Sequence, residues 1–206
     1  GKVTKQTTSG GGTEQRITSY TYDNGLIVNT ANNAGQETAY EYDDAGRVIR
    51  TKVLRTGENG NKIYDISEKS YDKYDRVTEE RGLLDQTAVD AELGALTLSE
   101  SGQVVAKTTY RYDVMGNLTQ MQSPMAFAGA VNQALYTMDY SYDNQSRLTQ
   151  VSTYYQGDGD PQQITTGYAY DTVGNRVSVI DAKGNVTSYA YDTLNRVSSV
   201  TNANNI

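Results

Sequence analysis

Cysteine and histidine are both absent from this 206-residue sequence, tryptophan is absent too, and phenylalanine occurs once. Without cysteine there can be no disulfide staple and no thiolate metal site. Without histidine the commonest general base and the commonest zinc ligand are missing. No apolar run approaches the roughly 20 residues of a membrane helix. No secretory signal is recognisable, and the first residue is Gly, so the sequence reads as an excised piece or a processed chain. Eighteen basic residues lie scattered among 25 acidic ones, for a net charge of −7. Nucleic acid is therefore an unfavourable partner, because neutralising phosphates needs clustered Lys and Arg. With 36% hydrophobic and 21% charged residues the chain is nonetheless too apolar to be disordered.

What the sequence does have is tyrosine, 18 of them. Twelve fall in six copies of one phrase, Tyr-x-Tyr-Asp, two further residues, then Gly or a substitute and often Arg. The copies centre on Tyr20 and Tyr22, Tyr40 and Tyr42, Tyr110 and Tyr112, Tyr140 and Tyr142, Tyr168 and Tyr170, and Tyr189 and Tyr191, with a weaker one at Tyr71. The second tyrosines are 20, 29, 41, 30, 28 and 21 residues apart. Repetition at this period marks a chain built from stacked supersecondary units.

One unit can be read physically. Tyr40 and Tyr42 are two apart and share a strand face, with Glu41 on the other. Asp43 opens a turn by accepting a hydrogen bond from the backbone two residues on, and Gly46 takes the left-handed conformation that closes a type I turn with a bulge. Arg47 begins the returning strand. Asp113 and Gly116 repeat the design, whereas Asp23-Asn24-Gly25 is one residue shorter and reads as a two-residue hairpin turn. A second turn signal precedes Tyr40 at Asn33-Ala34-Gly35, and Tyr189 at Asp181-Ala182-Lys183-Gly184-Asn185. A unit is thus two strands of about 7 residues and two turns.

Departures from the phrase test this reading. Asp75, Ser146 and Asn195 stand at the glycine position; Asp and Asn tolerate left-handed backbone better than Ser. Gly174 is followed by Asn175 before Arg176, which suggests a longer or shifted copy, and Lys69 replaces the upstream tyrosine of Tyr71. The most irregular hairpins are expected at these places. Insertions fall at 82–103, 123–135 and 155–163. The first could be a short helix or an extended hairpin tip, and the second reads as a loop packing onto the sheet. Both prolines, Pro124 and Pro161, lie in insertions, which spares the ladders.

The phrase resembles the YD repeat of the Rhs family, through Tyr40-Glu41-Tyr42-Asp43-Asp44-Ala45-Gly46-Arg47 and Tyr168-Ala169-Tyr170-Asp171-Thr172-Val173-Gly174-Asn175-Arg176 above all. The likeness covers about residues 20–206. It implies an all-β ribbon of consecutive antiparallel hairpins, an arc of a coiled hollow shell, with residues 1–206 as one segment cut from inside the wall. Rhs polymorphic toxins, the B and C components of insecticidal toxin complexes and teneurins are members. In the toxin members the shell encloses a C-terminal toxin released by an aspartyl element bearing Asp-Pro-x-Gly. Here the single Asp160-Pro161 is followed by Gln162-Gln163 and lies mid-chain, so that protease is not carried over. The implied partners are the remaining repeats and an enclosed polypeptide, in a parent exported by a bacterium.

Each conspicuous residue has a plain reading beside a sharper one. The tyrosines could stack on sugars or a partner protein; as cross-strand ladders, each pair is worth about 0.2–1 kcal/mol and the hydroxyl reaches water. Asp23, Asp43, Asp72, Asp113, Asp143, Asp171 and Asp192 are expected to cap turns rather than bind calcium. Arg47, Arg76, Arg147, Arg176 and Arg196 are expected to tune turn geometry, with Gly25, Gly46, Gly116 and Gly174 as the left-handed positions. Gly157-Asp158-Gly159-Asp160 lacks the further ligands of a calcium loop. Asn117, Asn144 and Asn185 begin formal glycosylation sequons. No nucleophile, base and stabiliser converge, and no metal or cofactor is called for. The leading expectation is a non-enzymatic shell segment; the alternative is an exposed surface that binds carbohydrate or a partner protein. Strands near Thr18–Tyr22 and Val197–Val200 are expected to form open ribbon ends that recruit other chains.

Overall fold

Alternating polar and apolar residues punctuated by turn signals leave the backbone one way to satisfy its hydrogen bonds, the antiparallel ladder. The computed structural model describes residues 2–9, 15–56, 62–84, 97–98, 104–127, 132–157 and 159–203. It is all-β, as expected. The remaining described elements are two one-turn 3-10 segments, Pro124–Phe127 and Gln133–Tyr136.

The chain divides into two compact units, residues 1–108 with 127–129, and residues 109–126 with 130–206. The first holds β1 (Lys2–Ser9), β2 (Gln15–Asp23), β3 (Leu26–Asn32), β4 (Glu37–Tyr42), β5 (Val48–Thr56), β6 (Lys62–Tyr71), β7 (Val77–Leu84), β8 (Thr97–Leu98) and β9 (Val104–Tyr112) up to Thr108. The second holds the rest of β9, then β10 (Leu118–Gln122), β11 (Thr137–Tyr142), β12 (Leu148–Tyr155), β13 (Gln162–Tyr170), β14 (Arg176–Ile180), β15 (Val186–Tyr191) and β16 (Val197–Thr201). In each unit, strand order follows sequence order and every pairing among the described residues is antiparallel; the short β8 alone lies off the path, beside β9.

Beyond the bulge at the type I turns, the hairpins share one within the strand that the sequence does not announce. Glu41 faces Arg50 and Tyr42 faces Val48, so Ile49 is an extra residue on the returning strand. The same one-residue shift leaves Val28, Thr78, Thr119, Thr149, Val177 and Ser198 unpaired in the other six hairpins. A bulge of this kind bends its strand and increases the local twist.

Each unit is a single layer with almost no interior. Among the described residues Ala126 is the one buried apolar side chain, and Thr137 and Ser152 are the buried polar ones. Ala126 sits in the 3-10 turn Pro124–Phe127, in the insertion where a loop is expected. In the 82–103 insertion, Gly82 to Leu84 instead continue β7, pairing with β6 as far as Asp65 opposite Leu84. Residues 85–96 and 99–103, for which a helix or hairpin tip is expected, lie outside the described residues, as does Asp158.

Candidate functional site

The repeated chemistry is at the turns. At Asp43, one carboxylate oxygen accepts from the backbone N–H of Ala45 at 3.0 Å and of Arg47 at 2.9 Å. The other accepts from Arg47 Nε at 2.8 Å. The Gly46 N–H donates to the Asp43 carbonyl, and the Asp43 N–H to the Arg47 carbonyl. One aspartate thus satisfies the amides at two positions of the loop and holds the side chain that follows. The pattern recurs at Asp72 with Arg76, Asp143 with Arg147 and Asp192 with Arg196.

Asparagine does the arginine's work elsewhere. Asn117 Nδ2 donates to Asp113 at 2.9 Å, Asn175 Nδ2 to Asp171 at 2.9 Å, and Asn185 Nδ2 to Asp181 at 2.8 Å. Asn32 with Gln36 builds the same turn from amides, through Nδ2 donating to Oε1 at 2.7 Å. The turn between units of the phrase is therefore the same device as the tyrosine turn. Sequence reasoning missed these partners because it followed arginine; the common signal is a polar side chain four residues on, an Arg or Asn N–H after Asp and the Gln36 amide oxygen after Asn32. Arg176 is corrected accordingly: the copy is not longer, Asn175 fills the holding position, and Arg176 begins β14 with its guanidinium 5.8 Å from the Tyr168 ring and 5.4 Å from that of Tyr189.

The left-handed positions hold. Gly46, Gly116 and Gly174 have φ of 78°, 93° and 100°, and Asp75, Ser146 and Asn195 take 64°, 59° and 58° in the same place. Asn24 and Gly25 are both positive, at 47° and 84°, as a two-residue turn after Asp23 requires. The expectation of irregular hairpins at the substituted copies is overturned, since they keep the same hydrogen bonds and the same bulge. The carboxylate supplies enough local bonding to hold a non-glycine residue in the strained region. Lys69, in the place of a first tyrosine, pairs with Glu80 opposite it, 3.1 Å apart.

Hydrogen bonding keeps these carboxyls ionised. The side chain of Arg47 foremost, then the backbone, lowers the Asp43 pKa; the side chains of Arg76, Asn117, Asn185 and Arg196 lead for Asp72, Asp113, Asp181 and Asp192. At Asp143 and Asp171 desolvation pushes upward, yet the bonds from residues 147 and 175 together prevail and the net direction is down.

The tyrosines do not face one another across the ladders. First tyrosines Tyr20, Tyr40, Tyr110, Tyr140, Tyr168 and Tyr189 lie opposite Thr30, Thr51, Met121, Val151, Val179 and Val200. Second tyrosines Tyr22, Tyr42, Tyr71, Tyr112, Tyr142, Tyr170 and Tyr191 lie opposite Ile27, Val48, Val77, Leu118, Leu148, Arg176 and Val197. The stabilising pairs are aromatic against aliphatic or threonine, with Arg176 the exception. Nor do the second hydroxyls simply reach water. Tyr42 donates to the Ile27 carbonyl at 2.7 Å, Tyr71 to Val48 at 2.9 Å, Tyr170 to Leu148 at 2.8 Å and Tyr191 to Arg176 at 2.9 Å. Each acceptor is the residue facing the previous hairpin's second tyrosine, immediately before its bulge.

Arginines reinforce these junctions. Arg47 Nη1 donates to the Asp72 carbonyl at 3.1 Å and lies 4.8 Å from the Tyr71 ring centroid. Arg147 Nη1 donates to the Asp171 carbonyl at 2.9 Å, with its guanidinium 4.9 Å from the Tyr170 ring. Each of these guanidiniums holds its own turn and clasps the next. On the opposite face the first unit carries a charged row, Lys52 to Glu41 to Arg50 to Glu68, at 2.8, 2.9 and 2.5 Å. The second unit carries hydrogen bonds there, Gln150 to Ser152, Ser152 with Thr165, and Gln120 and Tyr154 to Asp139. Among the described residues no three acidic groups come together in a way that could hold a metal ion.

Consecutive single-layered hairpins, clasped in four junctions through a tyrosine hydroxyl and in two of these through an arginine as well, define a structural repeat. The RHS Repeat family model matches residues 23–62 and 170–205, and the chain carries RHS repeats in those two stretches. Among solved structures the chain is similar to TcdB2-TccC3-Cdc42, 16% identical, covering 90% of this chain and 10% of that one, TM-score 0.46. It is also similar to a Photorhabdus luminescens Tc holotoxin pore carrying a TccC3 mutation, again 16% identical, covering 91% and 12%, TM-score 0.39. The chain thus spans about a tenth of the length of the solved chains it matches. No curated protein matches it.

Proposed function

We propose that residues 1–206 are one segment of an RHS shell wall whose parent encloses a polypeptide, a toxin or other C-terminal cargo, and is exported by a bacterium. The observation that carries this reading is the investment of side-chain chemistry in joining hairpin to hairpin, in a layer with almost no core of its own. Four tyrosine hydroxyls and two arginines are spent on junctions. That arrangement suits a barrier, where continuity of the ladder matters, better than a pocket, where polar groups converge on a ligand. It also tells against the carbohydrate-binding alternative, since those hydroxyls are already engaged. The segment's role is to persist and to exclude, with no chemical step.

Limited proteolysis of the parent protein tests the proposal. With the wall intact, the enclosed polypeptide should survive a protease that digests it when free, and Tyr42→Ala with Tyr170→Ala should expose it. Cleavage of the cargo at the same rate in both would overturn the containment role.

A further inference from the structure

One arginine of the second unit stands outside the repeat's own pattern. In six hairpins the residue facing the second tyrosine is aliphatic: Ile27, Val48, Val77, Leu118, Leu148 and Val197. In the hairpin of β13 and β14 it is Arg176, opposite Tyr170. The turn does not need this side chain, because Asn175 already holds Asp171. The four arginines that hold their own turns are each neutralised there: Nε of Arg47, Arg76, Arg147 and Arg196 donates to Asp43, Asp72, Asp143 and Asp192 at 2.8, 2.7, 2.6 and 2.7 Å. Arg176 is exposed and its side chain reaches no carboxylate among the described residues. Its guanidinium instead lies between two aromatic rings, 5.8 Å from the Tyr168 centroid on β13 and 5.4 Å from the Tyr189 centroid on β15. Ring faces attract a guanidinium and orient it, yet they use none of its five N–H donors. The hydroxyls of Tyr168 and Tyr189 likewise have no hydrogen-bond partner among the described residues. The backbone beneath is fixed, by the ladder to Tyr170 and by the Tyr191 hydroxyl donating to the Arg176 carbonyl at 2.9 Å.

From this arrangement we infer that Arg176, Tyr168 and Tyr189 form a binding site for a carboxylate, supplied by an acidic side chain of a polypeptide lying on the tyrosine face. The guanidinium takes the carboxylate as its four counterparts take theirs, through a charge-assisted fork, and the phenol on either side supplies a further donor. Phosphate fits less well. The turn carboxylates of Asp171 and Asp192, kept ionised by hydrogen bonds from Asn175 and Arg196, repel a dianion more strongly than a monoanion. A polypeptide fits better than a free small acid, which one exposed charge would have to hold alone. A peptide adds contact with the half-buried rings of Tyr168, Tyr170, Tyr189 and Tyr191 beside that charge. The site belongs to β13, β14 and β15 and does not depend on an enclosed cargo, so its failure would leave the containment proposal to its own test.

The probe is the peptide acetyl-Gly-Gly-Glu-Gly-Gly-amide, titrated into the isotope-labelled 206-residue chain at constant ionic strength, with the Arg176 Nε–H and the Tyr168 and Tyr189 ring signals followed by NMR. Saturable shifts confined to these residues and their neighbours are expected, with a Kd on the order of millimolar. The same peptide with Gln for Glu, sodium acetate and inorganic phosphate should each bind more weakly. Tyr168→Phe and Tyr189→Phe should each weaken the Glu peptide about two- to tenfold, the loss of one hydrogen bond. Arg176→Leu, which installs the residue type found at this place in the Leu118 and Leu148 hairpins, should abolish binding and leave the melting temperature unchanged. Because the Glu and Gln peptides meet the same chain, folding does not enter that comparison. Equal affinity for the two peptides, equal shifts at Arg47 and Arg147, or binding that survives Arg176→Leu would each overturn the site. Acetate as tight as the Glu peptide would overturn the polypeptide as its source, and phosphate tighter than either would overturn the carboxylate.

Discussion

A single carboxylate organises each turn by accepting two backbone N–H groups and one side-chain donor, so the aspartates should govern how the protein responds to acid. Their pKa values in the folded state lie below the ordinary value. A depressed folded pKa contributes stability above the unfolded value of about 3.9 and loses it as pH falls through the lower folded value. Thermal melts should therefore be flat above pH 5 and decline below about pH 4, and Asp43→Asn, which removes one titrating carboxylate, should melt lower at neutral pH with a shallower decline below pH 4. Strain at the left-handed position gives a second expectation. Ser146 holds φ of 59° without being glycine, so Ser146→Gly should stabilise by about 0.5–1 kcal/mol and Gly46→Val should destabilise by at least as much, as read by denaturant titration. The aspartate's part in the turn was legible from the spacing of Asp43, Ala45 and Gly46. The donor four residues on was not, because Arg47 and Asn117 look unlike one another in sequence while offering the same N–H.

At the level of the element, the hairpin was readable and the junction was not. Paired tyrosines two apart, followed by Asp-x-x-Gly, place strand, turn and returning strand within a residue or so of where they stand. Nothing in sequence marks the bulge within the strand, as distinct from the one at the turn glycine, since Val28, Ile49, Thr78 and Val177 are ordinary strand residues that the register alone leaves unpaired. The tyrosine hydroxyls likewise find carbonyls 15 to 23 residues away, a distance that local pattern does not reach. Tyr170→Phe removes the bond to the Leu148 carbonyl and should cost about 0.5–1.5 kcal/mol. Hydrogen exchange should show the loss in β12 and β13, and unchanged protection there would mean that the hydroxyl does not tie the two hairpins.

In the whole molecule, stability has to come from neighbours, since each unit is one layer thick and Ala126 is the one buried apolar residue among those described. Such a chain behaves as a sum of hairpins and the interfaces between them. The all-β ribbon was evident in the sixfold phrase, whereas the distinct bonding of the second tyrosines Tyr42, Tyr71, Tyr170 and Tyr191 to carbonyls of the preceding hairpin emerged only from the geometry. That distinction is the centre of the account, and matched triple substitutions test it most directly. Tyr42, Tyr170 and Tyr191 each donate to a backbone carbonyl of the preceding hairpin. Their neighbours Tyr40, Tyr168 and Tyr189 lose the same three oxygens when changed to phenylalanine and keep their rings opposite Thr51, Val179 and Val200. Denaturant unfolding of the two triple variants should show the second-position set destabilised by the sum of three junction bonds, about 1.5–4.5 kcal/mol, and the first-position set close to the parent chain. Equal losses in the two sets, or a first-position set that suffers more, would contradict the claim that tyrosine hydroxyls join one hairpin to the next.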